Sequence, residues 1–375
     1  PTVLQPPTAT ATDDISSGNY DTNQVIQILQ NDSSDGNEQT LKPESVKLCN
    51  PASTPPQTSP NCTLTSLTTA DGTYTVNSDG TVTFDPLPTF TGTVATPIAY
   101  QVSDALDRKV SANMTPTVGL PPNPSAAPET TSGPYNTAQF TTPLTNETPG
   151  SASFPLSQSQ LKLCQIDDSS TLLTDEAQSP NNCSATSVTI PGEGTYVYDP
   201  ATGRITFTPL ATFTGQATPI VYQTKDSLNR FVNSTYTPTV GTPPAPAAVP
   251  DVSSGNYDQN QTITPLGNDT AGSAAFPISA STIRICQVDD PATTGINEAQ
   301  SPNNCTATSV TIPGEGTYTV NSDGTVSFDP LPSFTGTVQT PVKYQVADSR
   351  GVIDNATITP TVTPPPAPTA ANDTS

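Results

Sequence analysis

Histidine and tryptophan are missing from all 375 residues, and methionine occurs once. Without histidine the chain lacks the commonest general base and the commonest transition-metal ligand, which excludes a Ser-His-Asp triad or a histidine-built zinc site. Positive charge is scarce too: 11 Lys and Arg stand against 33 Asp and Glu, for a net charge of -22. No basic run occurs. Nucleic-acid affinity rests largely on neutralised phosphates and attraction to anionic lipid on clustered Lys and Arg, so neither partner is expected. No apolar stretch approaches the ~18 residues of a membrane span, and no GxSxG, phosphate-binding glycine loop or dinucleotide fingerprint is present. Charged residues make up only 12% of the chain, against roughly a quarter in an ordinary domain, and Thr, Ser, Asn and Pro take their place.

What fills the chain is one module written three times. The string GTYTVNSDGTVTFDPLPTFTG at 72–92 returns as GTYVYDPATGRITFTPLATFTG at 194–215 and as GTYTVNSDGTVSFDPLPSFTG at 316–336. A period of about 120 residues far exceeds the 20–50 of solenoid units and matches an independent domain. The landmarks place the copies near residues 12–118, 130–240 and 251–362, separated by LPPNPSAAP at 120–128 and TPPAPAAVP at 242–250. Such Pro and Ala runs favour extended polyproline II and act as semi-rigid spacers. With linkers included the chain divides at 1–121, 122–244 and 245–366. The tail from 367 to 375 repeats the linker and module start, so a further repeat is expected there.

Alternation with period two dominates and no ten-residue stretch has helical period. Val46 and Leu48 share a face, as do Tyr74 and Val76, Val82 and Phe84, and Ile98, Tyr100 and Val102; the third copy keeps the set at Ile283, Ile285, Tyr318, Val320, Val326, Phe328, Val342, Tyr344 and Val346. Short strands between Gly, Asn, Asp and Pro turns predict an all-β chain of three tandem Ig-like antiparallel sandwiches, each of seven or so strands, in an extended, beads-on-a-string array. The NSDG at 77–80 closes a hairpin through Gly80. Phe90 with Gly92, repeated as Phe213 with Gly215 and Phe334 with Gly336, pins a corner by burying a ring while the glycine reverses the chain. Pro116, Pro238 and Pro360 fall in the last strand of each copy; since proline cannot donate to a ladder, that strand is expected to be an edge or to carry a bulge.

Six cysteines fall two per module: Cys49 with Cys62, Cys164 with Cys183, and Cys286 with Cys305. An even count at matching positions predicts one disulfide per module and an oxidising compartment. Two thiols and no imidazole per module exclude zinc held through sulfur. Asp104 and Asp107 are the nearest thing to a hydrolytic carboxylate pair, but the later copies read Asp226 with Asn229 and Asp348 with Arg350. Calcium has a weak case in Asp13-Asp14, Asn31-Asp32 and Asp104, with no DxDxDG-type loop to support it, so no cofactor is expected. A repeat-wide Lys–Asn cross-link fails because Lys47 and Lys162 give way to Arg284. Asn61, Asn182 and Asn304 precede the second cysteine within N-x-Ser/Thr triplets, a pattern that chance supplies readily in so Ser- and Thr-rich a chain.

The segment GTYTVNSDGTVTFDPLPTFTGTVATPIAYQVSD, followed by TPTV at 115–118, resembles the CshA-type fibril repeat of bacterial surface adhesins. Phe90, Gly92, Tyr100 and Pro116 carry the motif, with Phe213, Gly215, Tyr222 and Pro238, then Phe334, Gly336, Tyr344 and Pro360 as counterparts. The second half of each module matches well and the first half more loosely; the cysteine pair departs from the pattern. The resemblance implies tandem sandwich repeats in a wall-anchored extracellular fibril, neighbouring repeats as partners, and an adhesive tip outside this stretch that meets the host or bacterial ligand. It implies no catalytic residues. The alternative is that the repeats themselves are multivalent, low-affinity binders of host protein or glycan.

Overall fold

The computed structural model describes residues 7–34, 40–166, 177–289 and 299–369. In the first module β1 (Asp14–Gly18), β3 (Leu41–Leu48), β8 (Ile98–Asp104) and β9 (Lys109–Val118) form one sheet in the order β1-β9-β8-β3, with β7 (Gly92–Thr93) also on β9. The facing sheet has β2 (Gln24–Ile26), β4 (Ser66–Thr68), β5 (Gly72–Val76) and β6 (Val82–Pro86) in the order β2-β6-β5-β4. The second and third modules repeat both sheets. Nine strands replace the expected seven or so, because β4, β7 and β2 are too short to show an alternation. Each module closes its own core: Tyr74, Phe84, Ile98 and Tyr100 in the first, Tyr196, Phe207, Ile220 and Tyr222 in the second, Tyr318, Phe328, Val342 and Tyr344 in the third. Interdigitated rings add to the area buried, as where Tyr74 meets Phe84 at 4.6 Å between centroids.

One strand pair departs from the antiparallel expectation. β1 runs parallel to β9, with Asp14 opposite Met114 and Gly18 opposite Val118, and the later modules repeat this at Glu129–Gly133 and Asp251–Gly255. The chain therefore enters a module at one pole and leaves at the other. β9 is consequently no edge strand, since β1 covers one side and β8 the other, and the edge reading of Pro116, Pro238 and Pro360 is corrected. Pro116 sits where the neighbour changes from β8, last paired at Met114, to β7, first paired at Thr117. Its carbonyl accepts from Val94 N–H at 3.1 Å on that side, so the proline stands where the ladder passes from one partner strand to the next and gives up one donor there.

The NSDG turn joins β5 to β6, with Gly80 at φ +83° and Asn77 N–H donating to Thr81 C=O at 2.8 Å. The second module's longer turn keeps its left-handed glycine, Gly203, at φ +70°. Residues 370–375, within the tail where a further repeat is expected, lie outside the described residues.

Candidate functional site

Among the described residues, the features that recur from module to module are the disulfide loop, the motif residues, a tyrosine held by acids, and the poles where modules meet.

The structure pairs Cys49 with Cys62, Cys164 with Cys183 and Cys286 with Cys305. The first cysteine of each pair is tied to the strand beside it: Cys49 N–H donates to Ala99 C=O at 2.9 Å and Cys164 N–H to Val221 C=O at 2.9 Å. The second cysteine lies on a glutamine that the sequence reading missed. Gln101 Oε1 accepts from Cys62 N–H and its Nε2 donates to Cys62 C=O, both at 3.1 Å. Gln223 does the same for Cys183 at 3.2 Å, and Gln345 accepts from Cys305 N–H at 2.9 Å. A primary amide is the one neutral side chain that offers a donor and an acceptor side by side, matched to one residue's N–H and C=O. The signal was the Tyr-Gln dipeptide that follows each central strand's start.

The motif residues take structural places. Phe90 packs edge-on against Phe84 at 6.5 Å, and Phe213 against Phe207 at 6.2 Å; Phe334 flanks the third core. Gly92, Gly215 and Gly336 have φ near +92°, +94° and +95°, and a methyl there would meet nothing, so the requirement is backbone conformation alone.

Tyr100, Tyr222 and Tyr344 are buried with their hydroxyls on carboxylates: Asp32 at 2.9 Å, Glu147 at 2.6 Å and Asp269 at 2.9 Å. A second acid accompanies each, and the pairs Asp14/Asp32, Glu129/Glu147 and Asp251/Asp269 share one spacing in sequence. Asp14 Oδ2, Glu147 Oε2 and Asp251 Oδ2 are buried without a hydrogen-bond partner. Burial pushes Asp14 up to about 6, opposed by the nearby Tyr100 hydroxyl and reinforced by the charge of Asp32. Burial likewise pushes Glu147 up to about 7, opposed by the bond from Tyr222 and helped by Glu129.

The candidate calcium residues divide between two places. Asp13 and Asn31 are joined by an Asn31 Nδ2 bond to Asp13 C=O, and Asp32 accepts from Thr12 N–H, close to Asp14 and Tyr100. Asp104 is spent elsewhere: fully buried, it accepts from Leu106 N–H, Arg108 N–H and Arg108 Nε at 2.7–2.9 Å. Burial opposes its ionisation, yet those donors hold its carboxyl below the usual range. Asp107 pairs with Lys42 at 2.6 Å on the surface. No group of three or more His, Cys, Asp or Glu suited to a metal ion occurs among the described residues.

The poles carry the contacts between modules. Tyr20 lies just past β1 and donates to Pro88 C=O at 2.5 Å. That bond uses its only proton, so the 2.6 Å contact with Ser151 of the next module has the serine as donor. Phe154, three residues on, meets the Tyr20 ring at 6.0 Å. The second junction repeats this with Tyr135, Ala211 C=O, Ser273 at 2.9 Å and Phe276 at 6.3 Å. Each linker is also pinned to the module after it. Arg230, held by buried Asp226, donates to the carbonyls of Pro121 at 2.6 Å and Pro122 at 2.9 Å. Arg350, held by Asp348, reaches Pro243 at 3.5 Å and Pro244 at 3.0 Å. The arginine stands four residues after its aspartate in one turn and two after in the other, yet both guanidiniums reach the same pair of linker positions. Gly150 and Gly272 make room for this, since a methyl would meet Pro122 O at 1.7 Å or Ala245 O at 2.2 Å.

Among solved structures, likeness extends over 94% of this chain and 99% of the other for Drosophila N-cadherin EC1-3, at 11% identity and a TM-score of 0.32. For mouse cadherin-23 EC22-24 the shares are 95% and 98%, at 12% identity and a TM-score of 0.28. For the Sidekick-1 immunoglobulin domains 1–4 they are 94% and 74%, at 10% identity and a TM-score of 0.24. No protein of curated description matches the sequence. The family described as the surface adhesin CshA repetitive domain matches residues 6–118, 121–240 and 243–362, so the chain belongs to that family, as three tandem copies of its repeat.

Proposed function

We propose that these modules are stalk: a length of surface fibril whose task is to hold an adhesive domain, outside this stretch, away from a cell wall to which it is anchored. The observation that carries the reading is the parallel pairing of the first and last strand in every module, which puts entry and exit at opposite poles so that successive copies add length. The pinned linkers and the tyrosine contacts support stiffness, and the acidic, Thr- and Ser-rich surface supports solubility when fibrils stand crowded together. The reading gives the repeats no catalytic role.

Small-angle scattering of the oxidised chain tests it. A compact body of this length has a radius of gyration near ~21 Å, whereas three modules of ~14 Å in line at ~45 Å spacing give about 39 Å. A value near the larger figure, unchanged by chelator, is expected; one near the smaller figure would overturn the proposal.

A further inference from the structure

The third module repeats one half of the junction. Tyr257 occupies the place of Tyr20 and Tyr135 and donates to Pro332 C=O at 2.6 Å. Its single proton is thereby used, and what it offers a partner is an acceptor lone pair beside a half-exposed ring. Thr363 N–H donates to Gly255 C=O at 2.9 Å, as Gly119 does to Gly18 and Gly241 to Gly133, so the chain leaves this pole on the path it takes from the other two. Counting on from there, Pro365 and Pro366 fall at the positions of Pro121 and Pro122, and of Pro243 and Pro244, whose carbonyls take a guanidinium.

We infer that the Tyr257 pole is a docking surface for one kind of partner: the entry pole of a following module that carries Gly-Ser-x-x-Phe and an aspartate-held arginine. This rests on the stalk reading and adds a selectivity to it. The serine supplies the donor that Tyr257 lacks, the phenylalanine packs on its ring, the glycine lets the linker pass, and the arginine takes the carbonyls of Pro365 and Pro366. Modules of the second and third kind qualify, through Gly150, Ser151, Phe154 and Arg230 or Gly272, Ser273, Phe276 and Arg350. The first kind keeps only the held arginine, Arg108 on Asp104. Counted from the acid that holds the core tyrosine, Asp32, Glu147 or Asp269, its sequence has Asp35, Gly36 and Gln39 where the others have Gly, Ser and Phe. Junctions in such an array are therefore of two kinds, with the serine and phenylalanine contact to the tyrosine before a module of the second or third type and without it before one of the first type.

The test extends the whole chain by a fourth module joined after Thr369. One version appends a copy of residues 248–362 and the other a copy of residues 11–118. Nitrogen-15 relaxation then reads whether neighbouring modules tumble together. The expected result is a rotational correlation time shared across the third junction with the first version and lost with the second. Tyr257→Phe, or Ser273→Ala in the appended copy alone, should lose it in the first version and leave the earlier two junctions unchanged. A fourth module of the third kind that tumbles freely while the first two junctions stay coupled overturns this inference alone. Free tumbling at all junctions, including those of the unextended chain, overturns the stalk reading as well.

Discussion

Glu147→Gln should remove most of the pH dependence of the second module's stability. Glu147 is 8% exposed, one of its oxygens accepts from Tyr222 and the other is buried without a partner. Its carboxyl is raised from 4.5 to about 7. The sign follows from proton binding: between those values the folded state holds a proton that the unfolded chain gives up. The stabilising contribution is thus complete below about pH 4.5, falls as pH rises through the window, and is gone above about pH 7. A shift of that size corresponds to about 3 kcal/mol at 1.36 kcal/mol per unit, and residual solvation at the group brings the expected change to about 2 kcal/mol. Glutamine keeps the carbonyl acceptor for Tyr222 and replaces the unpartnered oxygen with a neutral amide. The assay is urea unfolding at pH 5 and pH 8, with hydrogen exchange at the 220–225 strand isolating the second module. The parent should lose about 2 kcal/mol between the two pH values and the variant a small fraction of that, which makes the variant the more stable protein at pH 8. A parent that gains stability toward pH 8, or a variant that keeps the parent's slope, refutes the assignment.

Gln223→Ala leaves the N–H and C=O of buried Cys183 unpaired, at about 1–3 kcal/mol for each group; amides from 178 to 184 should exchange faster with the disulfide intact, and unchanged exchange would remove Gln223 from its role. Reducing the Cys164–Cys183 bridge releases a loop with a separation of 19 residues, worth about 3 kcal/mol in the chain-entropy model. The sandwich should survive, as read by circular dichroism, because the glutamine still holds one end. Tyr135→Phe removes bonds to Ala211 and Ser273, at about 1 kcal/mol each. It should loosen the second junction in relaxation measurements and leave the unfolding midpoint of either neighbouring module unmoved. Gly92→Ala meets no atom but must adopt φ near +92°, so a loss of about 1 kcal/mol in the first module is expected, measured by thermal unfolding.

The core was legible because alternation records burial. Leu48, Tyr74, Phe84, Tyr100 and Val102 are all buried, as are Ile285, Tyr318, Phe328 and Tyr344. β1 left no such trace. In Asp14–Gly18 the one large apolar side chain, Ile15, is 87% exposed, and the strand is held by its backbone ladder and by Gln24, which accepts from Ser16 and donates to Thr117 C=O. An alternation rule cannot find a strand whose attachment is main-chain. The proline rule misled for a related reason: it counts a missing donor without knowing which side of the strand needs one. Gln101 sits on the polar beat of an alternating strand and reads as solvent-facing, yet it is 3% exposed because the disulfide loop folds over it. The junctions stayed hidden because each is split between modules, and Tyr20 acquires its meaning only beside Ser151 and Phe154.

The parallel pairing of β1 with β9 has a mechanical meaning. Tension on the chain pulls Asp14 toward one pole and Val118 toward the other, along the axis of the five-residue register between them. The load therefore falls on the whole ladder at once, in shear, and its bonds must yield together instead of opening one by one from an end. Resistance of that kind is set by the unfolding rate and not by equilibrium stability. A module of modest stability in denaturant can then stand considerable pull, which is the property a tether in flowing liquid needs.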